Sequence, residues 1–172
     1  MMYQYRDIIR TCCSKYSLRP DIVACIILQE SGGNTFAHRV EEAFYNNYIA
    51  NKKLSELAGW TPSTPGSNGQ PSVATEKRAR AESFGLMQAM GESAHSIAAY
   101  VNPFLTTLCV PENGIDVGCR ILSYYLKREN GDYVRALSRY NSGRADSVAG
   151  LAYADKIFKR VKANEHEAIL DG

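Results

Sequence analysis

From Tyr5 onward the apolar residues fall at Ile8, Ile9, Cys12, Cys13 and Tyr16, the three-and-four spacing that predicts an amphipathic helix. Pro20, with Asp21 beside it, stands where the first turn of a helix tolerates proline. Residues 21–30 are almost wholly apolar and stop at Gly32-Gly33, which predicts a second helix buried on most of its sides. A third amphipathic pattern runs from Val40 through Phe44, Tyr48 and Ile49 to about Leu57, with Gly59 placed as its terminator. Residues 61–72, TPSTPGSNGQPS, hold no side chain able to build a core and read as an exposed, mobile insertion of turns.

Helical spacing resumes over 93–101 and over 111–128, the latter with Ile115, Gly118, Ile121, Leu122, Tyr125 and Leu126 on one side. Asp132 is placed to cap a short helix ending near Tyr140, and Ser147 to cap a last one carrying Tyr153, Ile157 and Val161. From residue 163 the tail is polar and is expected to fray. No segment alternates cleanly with β-branched enrichment, so strands are expected to be minor. The expected fold is all-α, a single helical domain over 1–172 with its core at about 17–162 and a helical or loop insertion at about 40–80.

Composition narrows the function classes. Lys+Arg 20 against Asp+Glu 18 leaves only +2, far from the basic excess of a nucleic-acid binder. At 45% hydrophobic and 22% charged the chain can bury roughly 70% of its unfolded surface, so it needs neither disulfide nor metal to fold. The five cysteines are odd in number and form no C-x-x-C, and read as reduced, small apolar residues. His38, His95 and His166 show no ligand spacing, and no metal or other cofactor is expected. No phosphate loop or Gly-x-Ser-x-Gly elbow occurs. The run Lys77-Arg78-Ala79-Arg80 and the carboxylates Glu41, Glu42 and Glu76 read as solvated helix faces. No window approaches the ~20 apolar residues of a membrane span, and no membrane insertion is expected.

One residue breaks the local rules. Ile22, Ile26 and Ile27 lie eight, four and three residues before Glu30, so the carboxylate shares the apolar stripe of its own helix. It also falls in the last turn, where the helix dipole disfavours an anion. Desolvation and dipole both favour the protonated form, which a general acid requires. The alternative is a residue at a fraying helix end, or one paired with a neighbouring arginine.

Here the motifs decide. Ile27-Leu28-Gln29-Glu30-Ser31-Gly32-Gly33-Asn34 resembles the first motif of the soluble lytic transglycosylase family, relatives of goose-type lysozyme. Gly85-Leu86-Met87-Gln88-Ala89-Met90 resembles its Gly-Leu-Met-Gln-x-Met motif. Ser138-Arg139-Tyr140-Asn141-Ser142-Gly143 resembles its Ala-Tyr-Asn-x-Gly motif, with Arg139 in place of alanine, and Tyr153 resembles its late groove tyrosine. The serine often found before the second motif has no counterpart, since Ala79 or Arg80 falls near its place.

The resemblance implies cleavage of the β-1,4 bond between N-acetylmuramic acid and N-acetylglucosamine in peptidoglycan, with Glu30 as general acid and then base. The substrate's own N-acetyl group would replace a second carboxylate, and a 1,6-anhydro ring would form without water. The glycan strand would be contacted by Ser31, Gln88, Met90, Tyr140, Asn141 and Tyr153. Gln88 supplies a neutral amide, while the two tyrosines offer a ring face and a hydroxyl. Of Met87 and Met90 one is expected in the core, and motif position assigns Met90 to the groove. If Glu82, three residues before Gly85, held a water opposite Glu30, the protein would be a muramidase instead. From another class, an inert glycan-binding structural module would keep the fold without turnover. The expected partners are peptidoglycan strands and no nucleic acid, with the chain a monomer. The opening MMYQYRDIIRTCCSKY is too polar for a signal peptide's core. The expectation is therefore synthesis in the cytoplasm and arrival at the wall by phage lysis, as a virion part, or through a specialised secretion route, as in a phage lysin or virion-associated member of the family.

Overall fold

A computed structural model describes residues 3–171, and for Tyr3 the backbone only. It is predominantly helical with one small sheet, as expected. Its contacts group into two compact units, residues 1–33 with 118–172, and residues 34–117.

In the first unit, α1 (Arg6–Tyr16) buries Ile9, Cys12 and Cys13 and ends where Ser17 turns left-handed. Pro20 opens α2 (Pro20–Ser31), in which every residue from Ile22 to Ile27 is buried. The helix closes on Gly32 at φ 59°, whose N–H bonds to the Leu28 carbonyl. Helix α6 (Pro111–Arg128) gives residues 118–128 to this unit. It is fastened to the end of α1 through Arg120 Nε to the Tyr16 hydroxyl at 2.8 Å and Ser123 Oγ to the Tyr16 carbonyl at 3.1 Å. Asp132 caps α7 (Tyr133–Ser142) by accepting from Val134 and Arg135 N–H, and Ser147 caps α8 (Val148–Lys162) by accepting from Gly150 N–H. Both caps are as predicted. Helix α8 packs on α7 and α2. The tail does not fray from residue 163. It forms α9 (Glu167–Leu170), because Ile169 and Leu170 are buried and the segment packs on α2 and the N-terminal turn.

The second unit departs further from the spacing. Val40 ends a strand, β1 (His38–Val40), paired antiparallel with β2 (Glu82–Phe84), which pairs in turn with β3 (Ala89–Met90). The single helix predicted from Val40 to Leu57 is replaced by one α turn, α3 (Glu42–Phe44), a wide turn over Tyr45–Ile49, and a 3-10 turn over Leu54–Glu56. The wide turn closes through Ala50 N–H to the Tyr45 carbonyl at 2.8 Å and puts Ile49 into a cluster with Leu57 and Ala81, a placement regular 3.6-residue spacing would miss. Helix α4 (Val73–Arg80) starts on a Ser72 cap. Helix α5 (Gly91–Ser96) is shorter than its predicted range.

Two surface readings are overturned in α4. Glu76 is 1% exposed and Arg80 fully buried. Arg80 donates Nε to Glu76 Oε1 at 2.7 Å and Nη1 to Glu92 Oε2 at 2.7 Å and to the Ala58 carbonyl at 2.9 Å, and Nη2 to the Trp60 carbonyl. Lys77 donates to the Ala50 carbonyl, and Arg78 pairs with Glu42. Arg80 and Lys77 are thus tied inward, while the Arg78–Glu42 pair lies at the surface, as expected of a solvated face. Arg80 also explains the 61–72 segment, whose approach it holds at residues 58 and 60. The segment buries Pro62 and Pro71 and is built of hydrogen-bonded turns. All five cysteines are free thiols, as expected, four of them buried.

Candidate active site

Glu30 sits half-buried in the last turn of α2. That turn is closed and not frayed: Ser31 Oγ donates to the Ile27 carbonyl at 3.0 Å and accepts from Gly33 N–H at 3.2 Å. Beside Glu30 lie two phenols, Tyr140 from the last turn of α7 and Tyr153 from α8. Burial first, and then the Glu30 charge, push both phenols well above their usual range, so both stay protonated donors at any working pH. Tyr153 is 6% exposed. Its hydroxyl is buried with no closed hydrogen bond, while its contact with Glu30 is a weaker one dominated by the carboxylate's charge.

The turn from α7 to α8 is built to hold these groups. Gly143 takes a left-handed φ of 75°, and its N–H bonds to the Arg139 carbonyl at 2.7 Å. Ser142 Oγ reaches the Ser138 and Arg144 carbonyls at 2.8 and 3.1 Å and the Ser147 hydroxyl at 2.6 Å. A Cβ on Gly150 would stand 2.2 Å from Ser138 Oγ, so the two helices approach here as only glycine permits. Asn141 is exposed on the last turn of α7.

Glu82, Gln88 and Met90 belong to the second unit. Residues 85–88 form the turn from β2 to β3, with Gly85 at φ 71° and Gln88 at φ 47°. A Cβ on Gly85 would lie 2.3 Å from the Leu108 carbonyl. Gln88 Nε2 donates to the Ala37 carbonyl at 2.9 Å and the Gly85 carbonyl at 3.0 Å. Both amide hydrogens are therefore engaged and only Oε1 is left to accept. Met87 is fully buried and Met90 half-buried. Glu82 meets His38 Nε2 at 3.1 Å.

Some contacts beside the site escape local reading. Arg160 on α8 donates Nε at 3.1 Å to Gln29, the residue before Glu30. Tyr125 on α6 lies near Tyr140. Arg139 donates to Glu129. Of these, only the departure of Arg139 from the resembled motif marks itself in the sequence.

Among protein families, residues 7–159 match the transglycosylase SLT domain. The chain belongs to this family. The SLT domain match begins ten residues before the expected core and takes in Glu30, Glu82, Gln88, Met90, Tyr140, Asn141 and Tyr153. In general terms, membership assigns the SLT domain to the peptidoglycan lytic transglycosylases, with peptidoglycan as substrate. Neither the curated proteins nor the solved structures yield a match to the chain.

Proposed function

We propose that this SLT domain cleaves the β-1,4 bond between N-acetylmuramic acid and N-acetylglucosamine without water, leaving 1,6-anhydro-muramic ends, with Glu30 as its acid and base. The observation that carries the reading is the half-buried Glu30 carboxyl flanked by two phenols held neutral. Protonated Glu30 gives its proton to the bridging oxygen as the C–O bond breaks. The N-acetyl carbonyl oxygen bonds to the anomeric carbon and takes up the positive charge. Ionised Glu30 then removes the proton of the 6-hydroxyl, whose oxygen displaces the N-acetyl oxygen, and Glu30 ends the cycle protonated. Neutral phenols suit this cycle, since they bind sugar oxygens without competing for the travelling proton. Ser31 and Asn141 would contact the strand beside them, Met90 would face it, and Gln88 would accept from a glycan hydroxyl or amide through Oε1.

The test is mass spectrometry of fragments released from purified peptidoglycan by the protein and by Glu30→Gln, which keeps shape and removes the acid. Anhydro-muramic ends from the first and none from the second are expected. Reducing ends would instead mean a water-using muramidase and point to Glu82 as its base. Strand binding without fragments would mean an inert glycan-binding module.

A further inference from the structure

The end of α7 is held from outside by a buried ion pair. Glu129, one residue past the end of α6, has a side chain only 7% exposed and receives Arg139 Nε on Oε1 at 2.5 Å and Arg135 Nε on Oε2 at 2.7 Å. Arg139 is 20% exposed and Arg135 49%. Arg139 also reaches over the helix end, Nη1 donating to the Gly143 carbonyl at 3.2 Å, while Gly143 N–H returns to the Arg139 carbonyl at 2.7 Å. Residues 139 and 143 are thus joined twice, once by backbone and once by side chain. The residues enclosed are Tyr140, Asn141 and Ser142. Arg135 grips the same carboxylate one turn earlier and has no bond to the enclosed turn among the described contacts. On the α6 side the guanidinium of Arg139 also acts on the Tyr125 phenol, the neighbour of Tyr140.

We propose that Glu129 and Arg139 form a clamp that positions Tyr140 and Asn141 against the glycan strand, so that Arg139 is a positioning residue for turnover and not only a tie between helices. The proposal rests on the reading of Glu30, Tyr140 and Asn141 given above. A planar fork is needed, because one guanidinium serves a carboxylate and a carbonyl in different directions. A lysine ammonium would keep the charge and lose that geometry.

The experiment measures kcat and KM for fragment release from purified peptidoglycan, with thermal midpoints, for the protein and for Arg139→Ala, Arg139→Lys, Glu129→Gln and Arg135→Ala. Loosening a contact group by about 1 Å lowers turnover on the order of 10- to 100-fold, so Arg139→Ala should lose that much in kcat, with Arg139→Lys recovering only part. Arg135→Ala, which frees one oxygen of the same carboxylate, should lower the thermal midpoint while keeping kcat within about threefold. The double variant Arg139→Ala/Glu129→Gln should be no slower than Arg139→Ala, as expected of one coupled device. A merely structural pair would make kcat follow the thermal midpoint equally in Arg135→Ala and Arg139→Ala, and that result overturns the clamp. If Arg139→Ala fails to fold, Glu129→Gln and Arg139→Lys decide by the same criterion. Anhydro fragments lost in Glu30→Gln but kept at full kcat in Arg139→Ala refute the clamp alone, whereas an unmodified protein that releases no fragments refutes the underlying reading and the clamp with it.

Discussion

Arg80 is fully buried and serves four acceptors, so its removal is the sharpest test of how the second unit is held. In Arg80→Met the apolar stem is retained and the charge lost. Glu76, 1% exposed, then faces the interior with its arginine gone and only His95 Nε2 near it, at 3.2 Å, and removing one partner of a buried pair destabilises by about 3–5 kcal/mol. Glu92 is 19% exposed and can turn toward water, and the carbonyls of residues 58 and 60 lie on a largely exposed stretch, so neither adds much. The chain's one tryptophan, Trp60, accepts from this arginine through its carbonyl oxygen, and its ring lies 5.2 Å from that of His95, tilted by 40°. Its fluorescence therefore reports unfolding where the perturbation is made. With a urea slope near 2 kcal/mol/M, the midpoint should fall by about 2 M. Adding Glu76→Gln to Arg80→Met should restore roughly half, since the orphaned charge is then gone. A midpoint within about 0.5 M of the unmodified protein would refute the claim that this network carries the unit's stability.

The remaining tests fall mainly in the first unit. Tyr153→Phe removes a buried hydroxyl that has no closed hydrogen bond, so the thermal midpoint should hold or rise while fragment release falls; a lowered midpoint with unchanged release would reverse the assignment. Gly150→Ala forces a Cβ to 2.2 Å from Ser138 Oγ and 2.7 Å from its carbonyl oxygen, and calorimetry should show a loss on the order of 1–3 kcal/mol from overpacking. Asp21 is pushed up by burial but pulled further down by its bonds to Arg19, and Glu129 is held below the ordinary carboxylate range by Arg139 and Arg135. Folded values below unfolded ones mean stabilisation that is present above about pH 4 and is lost as pH falls through the folded values. The gap in thermal midpoint between the protein and Glu129→Gln should accordingly narrow below about pH 4, and a gap that widens there would contradict the assignment. Burial pushes the Cys25 thiol up to about 11, so under native conditions at pH 8 a thiol reagent should leave Cys25 unlabelled while half-buried Cys109 reacts first.

What local spacing could carry, it carried: the caps at Asp132 and Ser147 and the buried run from Ile22 to Ile27 need only neighbours within a turn or two. The conflict of Glu30 with the surrounding isoleucines, on which its proposed role rests, is local in the same way, since it lies within eight residues. Glu76 and Arg80 were misread because the partners that permit their burial, the carbonyls of Ala58 and Trp60 and the carboxylate of Glu92, lie 12 to 22 residues from Arg80. A run of cations on a short helix is written alike whether solvent or protein surrounds it. The strand ending at Val40 was hidden similarly, because three residues of pairing to Glu82, Ser83 and Phe84 leave no periodic signal in either segment.

Orphaned polar atoms do not by themselves mark a site in this protein. Gln70 Oε1 and His166 Nδ1 are buried without partners outside every motif, and His95 Nε2, without a closed hydrogen bond, still lies 3.2 Å from Glu76 Oε1. What distinguishes the motif residues is that their local costs are independent in kind. Glu30 stands at the helix end that disfavours an anion, and Tyr153 buries a hydroxyl without a closed bond, whereas the left-handed φ of Gln88 is shared by Ser17, Asn68, Ala99, Asn130 and Asn164 and marks nothing by itself. Arg80 shows the contrary case: its burial is a larger violation, but every visible bond of its guanidinium answers it. Rule-breaking that is repaid by protein groups is architecture. Rule-breaking that protein groups answer only in part is the signature expected of function, and at Tyr153 a buried, protonated phenol has only its weak contact with Glu30 to answer it.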